Sequence, residues 1–178
     1  MMRSAAVWLL ILVTATGFAI AGRQGVAYVR ATRGNYGLAQ ESQVRPAIPV
    51  FESLRALDGS SVPRDRDAIV LLYSSRCKVC NYNMANWISL ILAANQEYPK
   101  TMVAAVSVEP AESQRAYWSS LSDEGVRLFT SPNVTALTTS LGTDNVPSTI
   151  VIHDGKIVGN FLGILGPARQ ARALRLLQ

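Results

Sequence analysis

"AIVLLYSSRCKVC", residues 68–80, carries two different signals in thirteen positions. Ala68 to Tyr73 is an uncharged run with β-branched and aromatic members. With no polar alternation it has no face to offer to water, so it reads as a strand buried on both sides. Two serines and an arginine follow, and then Cys77 and Cys80, the only cysteines in the chain, stand two residues apart. The periodicity changes there: Val79, Met84, Trp87, Leu90, Ile91 and Ala94 recur at spacings of three, four or five. That pattern predicts a helix from Cys77 to Tyr98, stopped by Pro99, with Ser74 or Ser75 placed to cap its start.

A cysteine pair at such a junction admits three uses: a redox disulfide, a pair of metal ligands, or two inert core thiols. A helix start flanked by Arg76 and Lys78 is a poor setting for inert thiols. Zinc needs four ligands, and the chain has two cysteines and one histidine, His153. Two cysteines and a histidine are a set that holds Cu(I), so a Cu(I) carrier is the alternative function, although His153 beside Asp154-Gly155 is expected at an exposed turn. The redox use needs this spacing. Two intervening residues in the first helical turn bring the sulfurs within bonding reach, and the unpaired N–H groups of that turn favour a thiolate on the first. Cys77 is then the attacking thiolate and Cys80 the resolving thiol, with Arg76 and Lys78 as cations that tune Cys77 further.

Charge argues against nucleic acid. The net charge of the 178-residue chain is +5, but residues 1–48 hold five arginines against one glutamate, which leaves only +1 for the remainder. Ala5 to Ala21, "AAVWLLILVTATGFAIA", has no charge and lies between Arg3 and Arg23. It reads as an N-terminal transmembrane anchor or a signal peptide within residues 1–22; Ala19-Ile20-Ala21 suits cleavage, and the arginines beyond it argue for retention. Either use puts the domain outside the cytoplasmic membrane, in the periplasm or exterior. Residues 23–48 read as a flexible linker ending near Pro46 and Pro49, and residues 49–178 as a single domain.

Within that domain, "VFESLRALDGSSV" (50–62) predicts two short extended pieces around Asp58-Gly59. "MVAAVSV" (102–108) is the next strand, and residues 111–125 the next helix, closed by Gly125. "VRLFTSP" is extended; "NVTALTTSLGT" is a short helix between an Asn133 cap and a Gly142 stop. "STIVIHDGKIVGNF" is a hairpin turning at Asp154-Gly155. A closing amphipathic helix starts at Pro167, with Ala168, Ala171, Leu174 and Leu177 at helical spacing. Trp87 and Trp118 fall at core positions of their helices.

A strand, a CxxC opening a long helix, a strand, a helix, and then Val146-Pro147-Ser148-Thr149 opening a hairpin before a last helix resembles the thioredoxin superfamily over residues 49–178. "SSRCKVC", "VSVEPAESQRAYWSSL" and "NVPSTIVIHDGKIVGNFLG" look more narrowly like the TlpA/ResA-type extracytoplasmic thiol-disulfide oxidoreductases, which include cytochrome c maturation factors. The resemblance implies an α/β thioredoxin fold, a central mixed sheet flanked by helices, here with an N-terminal hairpin addition and an N-terminal transmembrane or signal helix. It implies a cis peptide before Pro147 against the cysteine pair, with Val146 and Pro147 binding substrate. It also implies protein thiols or disulfides as substrates, a membrane electron donor, no cofactor and no metal, and a reductant more than an oxidant. Three positions depart from the pattern. Arg76 stands where a tryptophan often precedes the first cysteine, Leu71 where thioredoxin has a buried acid, and Asn83 where ResA-type members carry a glutamate. Glu109, at the end of the second strand, is the nearest carboxylate by topology.

Overall fold

The computed structural model describes residues 44–64, 66–109, 117–118 and 125–178. Among them the chain runs β1 (Arg45–Pro46), α1 (Ile48–Glu52), β2 (Arg55–Ala56), β3 (Ala68–Tyr73), α2 (Lys78–Glu97), β4 (Met102–Ser107), β5 (Val126–Thr130), α3 (Val134–Leu141), β6 (Ser148–His153), β7 (Lys156–Leu162) and α4 (Pro167–Arg175). All seven strands join one mixed sheet in the order β1-β7-β6-β3-β4-β5-β2. β3 pairs with β4 in parallel and with β6 antiparallel, so it lies in the middle.

Central placement is what an apolar run without alternation requires, and every residue of β3 is buried. Its side chains split by parity. Ile69, Leu71 and Tyr73 pack with Trp87, Leu90, Ile91 and Ala94 of α2 and with Ala173 of α4. Ala68, Val70 and Leu72 pack on the other face with Val50 and Phe51 of α1 and Leu137 and Leu141 of α3. The sheet is therefore sandwiched between two helical layers, and the end of β3 delivers the chain directly into α2.

Several local expectations hold in detail. α2 ends at Glu97 with the Tyr98 N–H donating to Ala94 O at 2.7 Å, just before Pro99. The Asn133 side chain accepts the Ala136 N–H at 2.9 Å, and Gly142 ends α3 at φ 70°. β6 and β7 turn through Asp154 and Gly155 at φ 48° and 69°, as a two-residue hairpin demands.

Others are corrected. The segment 50–62 does not pair with itself around Asp58-Gly59. Ala47, Val50, Phe51 and Leu54 are all buried, a helical stripe that forms α1, and β2 pairs instead with β5. Arg45 and Pro46, expected as the end of a spacer, form β1 on the edge of the sheet against β7; an edge tolerates a proline that has no N–H to donate. The N-cap of α2 is Cys77, not a serine. In α4 the buried position is Ala173, with Leu177 buried just beyond the helix, while Ala168 and Ala171 are exposed. In its first turn Arg169 donates to the Ile164 and Leu162 carbonyls and Gln170 to that of Leu165. The expected helix over 111–125 lies mostly outside the described residues, as does the apolar N-terminal segment. Among the described residues no helix is long and apolar enough to cross a membrane.

Two buried hydrogen bonds lock α2 to the hairpin and the segment after it. Trp87 Nε1 donates to Thr149 Oγ1 at 2.9 Å, and Asn83 Oδ1 accepts the Leu165 N–H at 2.8 Å. Thr149→Val keeps the volume and leaves the indole N–H without a partner, which costs about 1–3 kcal/mol. Urea unfolding of this variant is expected to show that loss in midpoint with an unchanged slope.

Candidate active site

Cys77 stands at the N-cap of α2 with extended backbone, φ −82° and ψ 107°. From there its Sγ accepts the Cys80 N–H at 3.1 Å, a first-turn donor that it shares with the Cys77 carbonyl at 3.0 Å. The same sulfur is 3.7 Å from the carbonyl oxygen of Val146, to which its S–H donates. The Val146–Pro147 peptide is cis, as the resemblance implied, and Pro147 O accepts the Gly163 N–H at 2.7 Å. The structure thus joins Cys77, Cys80, Val146 and Pro147 at one end of the sheet, where β3 runs out and β6 begins.

The two thiols differ in their surroundings. Cys77 is partly exposed and Cys80 fully buried. Burial, and then the hydrogen bond with Cys77, push the Cys80 thiol up to about 12. A thiol so buried stays protonated until a local reaction draws its proton out.

The cations expected to tune Cys77 are arranged differently from the bare sequence pattern. Lys78 points into solvent, and Arg76, with its side chain 92% exposed, has its Nε 3.9 Å from Glu109 Oε1. Glu109 is held in place from the strand-to-helix loop. Ser74 Oγ donates to Oε1 at 2.6 Å, the Ser75 N–H donates to Oε2 at 3.0 Å, and the Ser75 hydroxyl donates to Oε2 as well. Partial burial pushes its carboxyl upward, but the hydrogen bonds from Ser74 and Ser75 outweigh this and hold it below the usual carboxylate range. Ser74 and Ser75, read from the sequence as helix caps, are donors to this carboxylate instead.

Sequence reasoning also missed an aromatic lining. Tyr73 stacks on Tyr117 with centroids 4.9 Å apart, and Trp118 meets Tyr73 edge-on at 5.1 Å. Tyr73 and Trp118 share the core cluster with Cys80, and Tyr117 packs against it. Burial, with the charges of Cys80 and Cys77 behind it, raises the Tyr117 phenol, which keeps it neutral. Leu71 lies buried one residue pair back from Tyr73 on the same face, so an apolar group occupies the place of an acid. Asn83 is buried on α2 and spends its carbonyl on Leu165.

His153 lies at the far end of β6. It is five positions on from Ser148, about 17 Å along a strand, so it cannot share a copper ion with the cysteines. Its Nδ1 is 3.0 Å from Asp67 Oδ2, and Asp67 also accepts the Asp154 N–H at 3.0 Å, a contact that ties the hairpin turn to the start of β3.

No protein-family model and no curated protein sequence matches the chain. Among solved structures it is similar to MTB dsbF in its mixed oxidized and reduced forms, with a TM-score of 0.59 and 12% identity over 75% of this chain and 99% of that one. It is similar to the thioredoxin domain of a thiol-disulfide oxidoreductase from Bacteroides vulgatus, with a TM-score of 0.58 and 16% identity over 80% and 100% of the two chains. StoA from Bacillus subtilis aligns with a TM-score of 0.52 and 11% identity over 79% and 100%. The fold is the thioredoxin fold.

The difference between the thiols has a direct chemical readout. Iodoacetamide at pH 8 is expected to alkylate Cys77 in the reduced native protein and to leave Cys80 unmodified until the protein is unfolded. Peptide mass mapping at increasing times checks this; equal labelling of both residues would contradict the burial assigned to Cys80.

Proposed function

We propose that this thioredoxin-fold chain is a protein thiol-disulfide oxidoreductase, using Cys77 and Cys80 to reduce disulfides of extracytoplasmic proteins. The observation that carries the proposal is the pairing of an accessible Cys77 sulfur, hydrogen-bonded to the first turn of α2, with a buried Cys80 three residues on. Cys77 attacks one sulfur of a substrate disulfide and expels the other as a thiolate, giving a mixed disulfide. Cys80 then loses its proton, attacks Cys77 Sγ and releases the second substrate sulfur as a thiolate. Two electrons pass to the substrate, and the chain is left with a Cys77–Cys80 disulfide.

The environment supports the reducing direction. A thiol pushed up to about 12 yields a strongly basic thiolate, which attacks well once formed and leaves poorly once bonded. Both properties favour a disulfide kept by this chain over one handed on. Val146 and the cis peptide border Cys77 and offer backbone groups to an extended substrate segment, which supports binding with little side-chain selectivity. Recycling the disulfide requires a reductant, and the uncharged run Ala5–Ala21 supports a place at the membrane, facing the periplasm or exterior, near a membrane electron donor. Cytochrome c maturation is the process that the sequence resemblance suggests for such a reductant.

Cys80→Ser is expected to accumulate a mixed disulfide with a model disulfide protein, visible on non-reducing gels, whereas Cys77→Ser forms none and loses turnover entirely. Retained turnover in Cys77→Ser would remove the proposed reaction.

A further inference from the structure

The exchange reaction leaves one well-built contact without a role. Glu109 follows β4, and its carboxylate accepts from the Ser74 hydroxyl, the Ser75 N–H and the Ser75 hydroxyl, all in the loop that carries Cys77. Its side chain is only 13% exposed, and it also engages the Arg76 guanidinium. An oxygen pair so occupied by donors is badly placed to shuttle protons, and so bonded it stays ionised. It is instead a fixed anion. Its bond to Ser75 N lies two residues from Cys77, at most about 7 Å of chain, so the charge is fixed on the loop that leads into the cysteine.

A fixed anion near a thiol works against its thiolate, and a cation works for it. Glu109 acts on both sides: it brings the negative charge, and it engages the cation that precedes Cys77. Less help for the Cys77 thiolate means a less oxidising couple, because a reduced form stabilised as thiolate is what makes a dithiol an oxidant. Ser107 supports the arrangement from the strand below, its hydroxyl accepting the Glu109 N–H at 2.9 Å. We propose that Glu109 is a positioning residue which fixes the Ser74-Ser75-Arg76 loop and, through its charge and its hold on Arg76, keeps the Cys77–Cys80 couple reducing. This rests on the redox reading of the cysteine pair.

The test uses the full chain equilibrated with reduced and oxidised glutathione. The Cys77–Cys80 disulfide and two glutathione thiols give the dithiol and one glutathione disulfide, with two electrons and two protons passing to the protein. Glu109→Gln, nearly the same shape without the charge, is expected to shift this equilibrium toward the dithiol by about 2- to 5-fold. Arg76→Ala leaves the anion without its cation and is expected to shift it toward the disulfide by a similar factor; with so exposed a side chain it folds even if the Glu109 variant does not. Ser75→Ala removes one hydroxyl from the carboxylate but keeps both charges; it is expected to lower the melting temperature and leave the equilibrium in place. Unchanged equilibria in Glu109→Gln and Arg76→Ala would overturn the proposal, and so would a Ser75→Ala shift as large as that of Glu109→Gln. Failure of the unaltered protein to form any intramolecular disulfide would instead remove the redox reading itself.

Discussion

Ala68 and Tyr73 have no exposure to water, and neither does any residue between them. A six-residue strand in that condition must have neighbours on both edges and helices on both faces, and supplying them determines most of the molecule. β4 takes one edge by a parallel crossover through α2, and β6 takes the other from a hairpin. The crossover forces the chain to turn from strand to helix at one end of β3, where the cysteines are. The antiparallel partner begins at that same end, so Pro147 and Val146 arrive beside Cys77 as a result of register: Leu72 pairs with Ser148. Burial of one strand therefore places both halves of the site.

At that junction the two sulfurs meet opposite conditions. One caps the helix, is reachable from solvent, and takes an N–H from the first turn. The other is sealed against Tyr73, Trp87 and Trp118 in the apolar layer. In the proposed exchange, an accessible sulfur beside a buried one sets the order: attack from outside, then resolution from within. Tyr73, Trp118 and the apolar Leu71 share the buried layer with Cys80, while a carboxylate is bonded to the loop before Cys77.

Much of this was legible because it rests on local pattern. The unbroken apolar run of β3, the change to helical spacing after Cys77, Asn133 and Gly142 around α3, and Asp154-Gly155 in the hairpin each encode their conformation within a few residues. The thioredoxin-like arrangement followed from their order. What escaped depends on residues remote in sequence. α1 is five residues long, and only its packing under β3 and against α3 makes it a helix. β1 exists because β7 offers it an edge. Ala168 and Ala171 are exposed while Arg169 and Gln170 between them bond to the carbonyls of Leu162, Ile164 and Leu165, contacts that spacing alone does not announce. Glu109 and the serines it binds are 34 and 35 residues apart, a pairing that no spacing rule announces. For the same reason Ser74 and Ser75 looked like caps: the residue type suits either task, and only the neighbouring strand decides between them.

The most direct measurement is the equilibrium between the Cys77–Cys80 disulfide and its dithiol in the full chain across graded thiol-disulfide buffers, read as the fraction of alkylatable cysteine. A buried, basic Cys80 and a Glu109-restrained Cys77 predict one reversible two-electron transition toward the thioredoxin end of the range, about −270 mV, and not toward the oxidising end, about −120 mV. A transition near the oxidising end would contradict the reducing role, and no intramolecular disulfide at any poise would contradict the redox function as a whole.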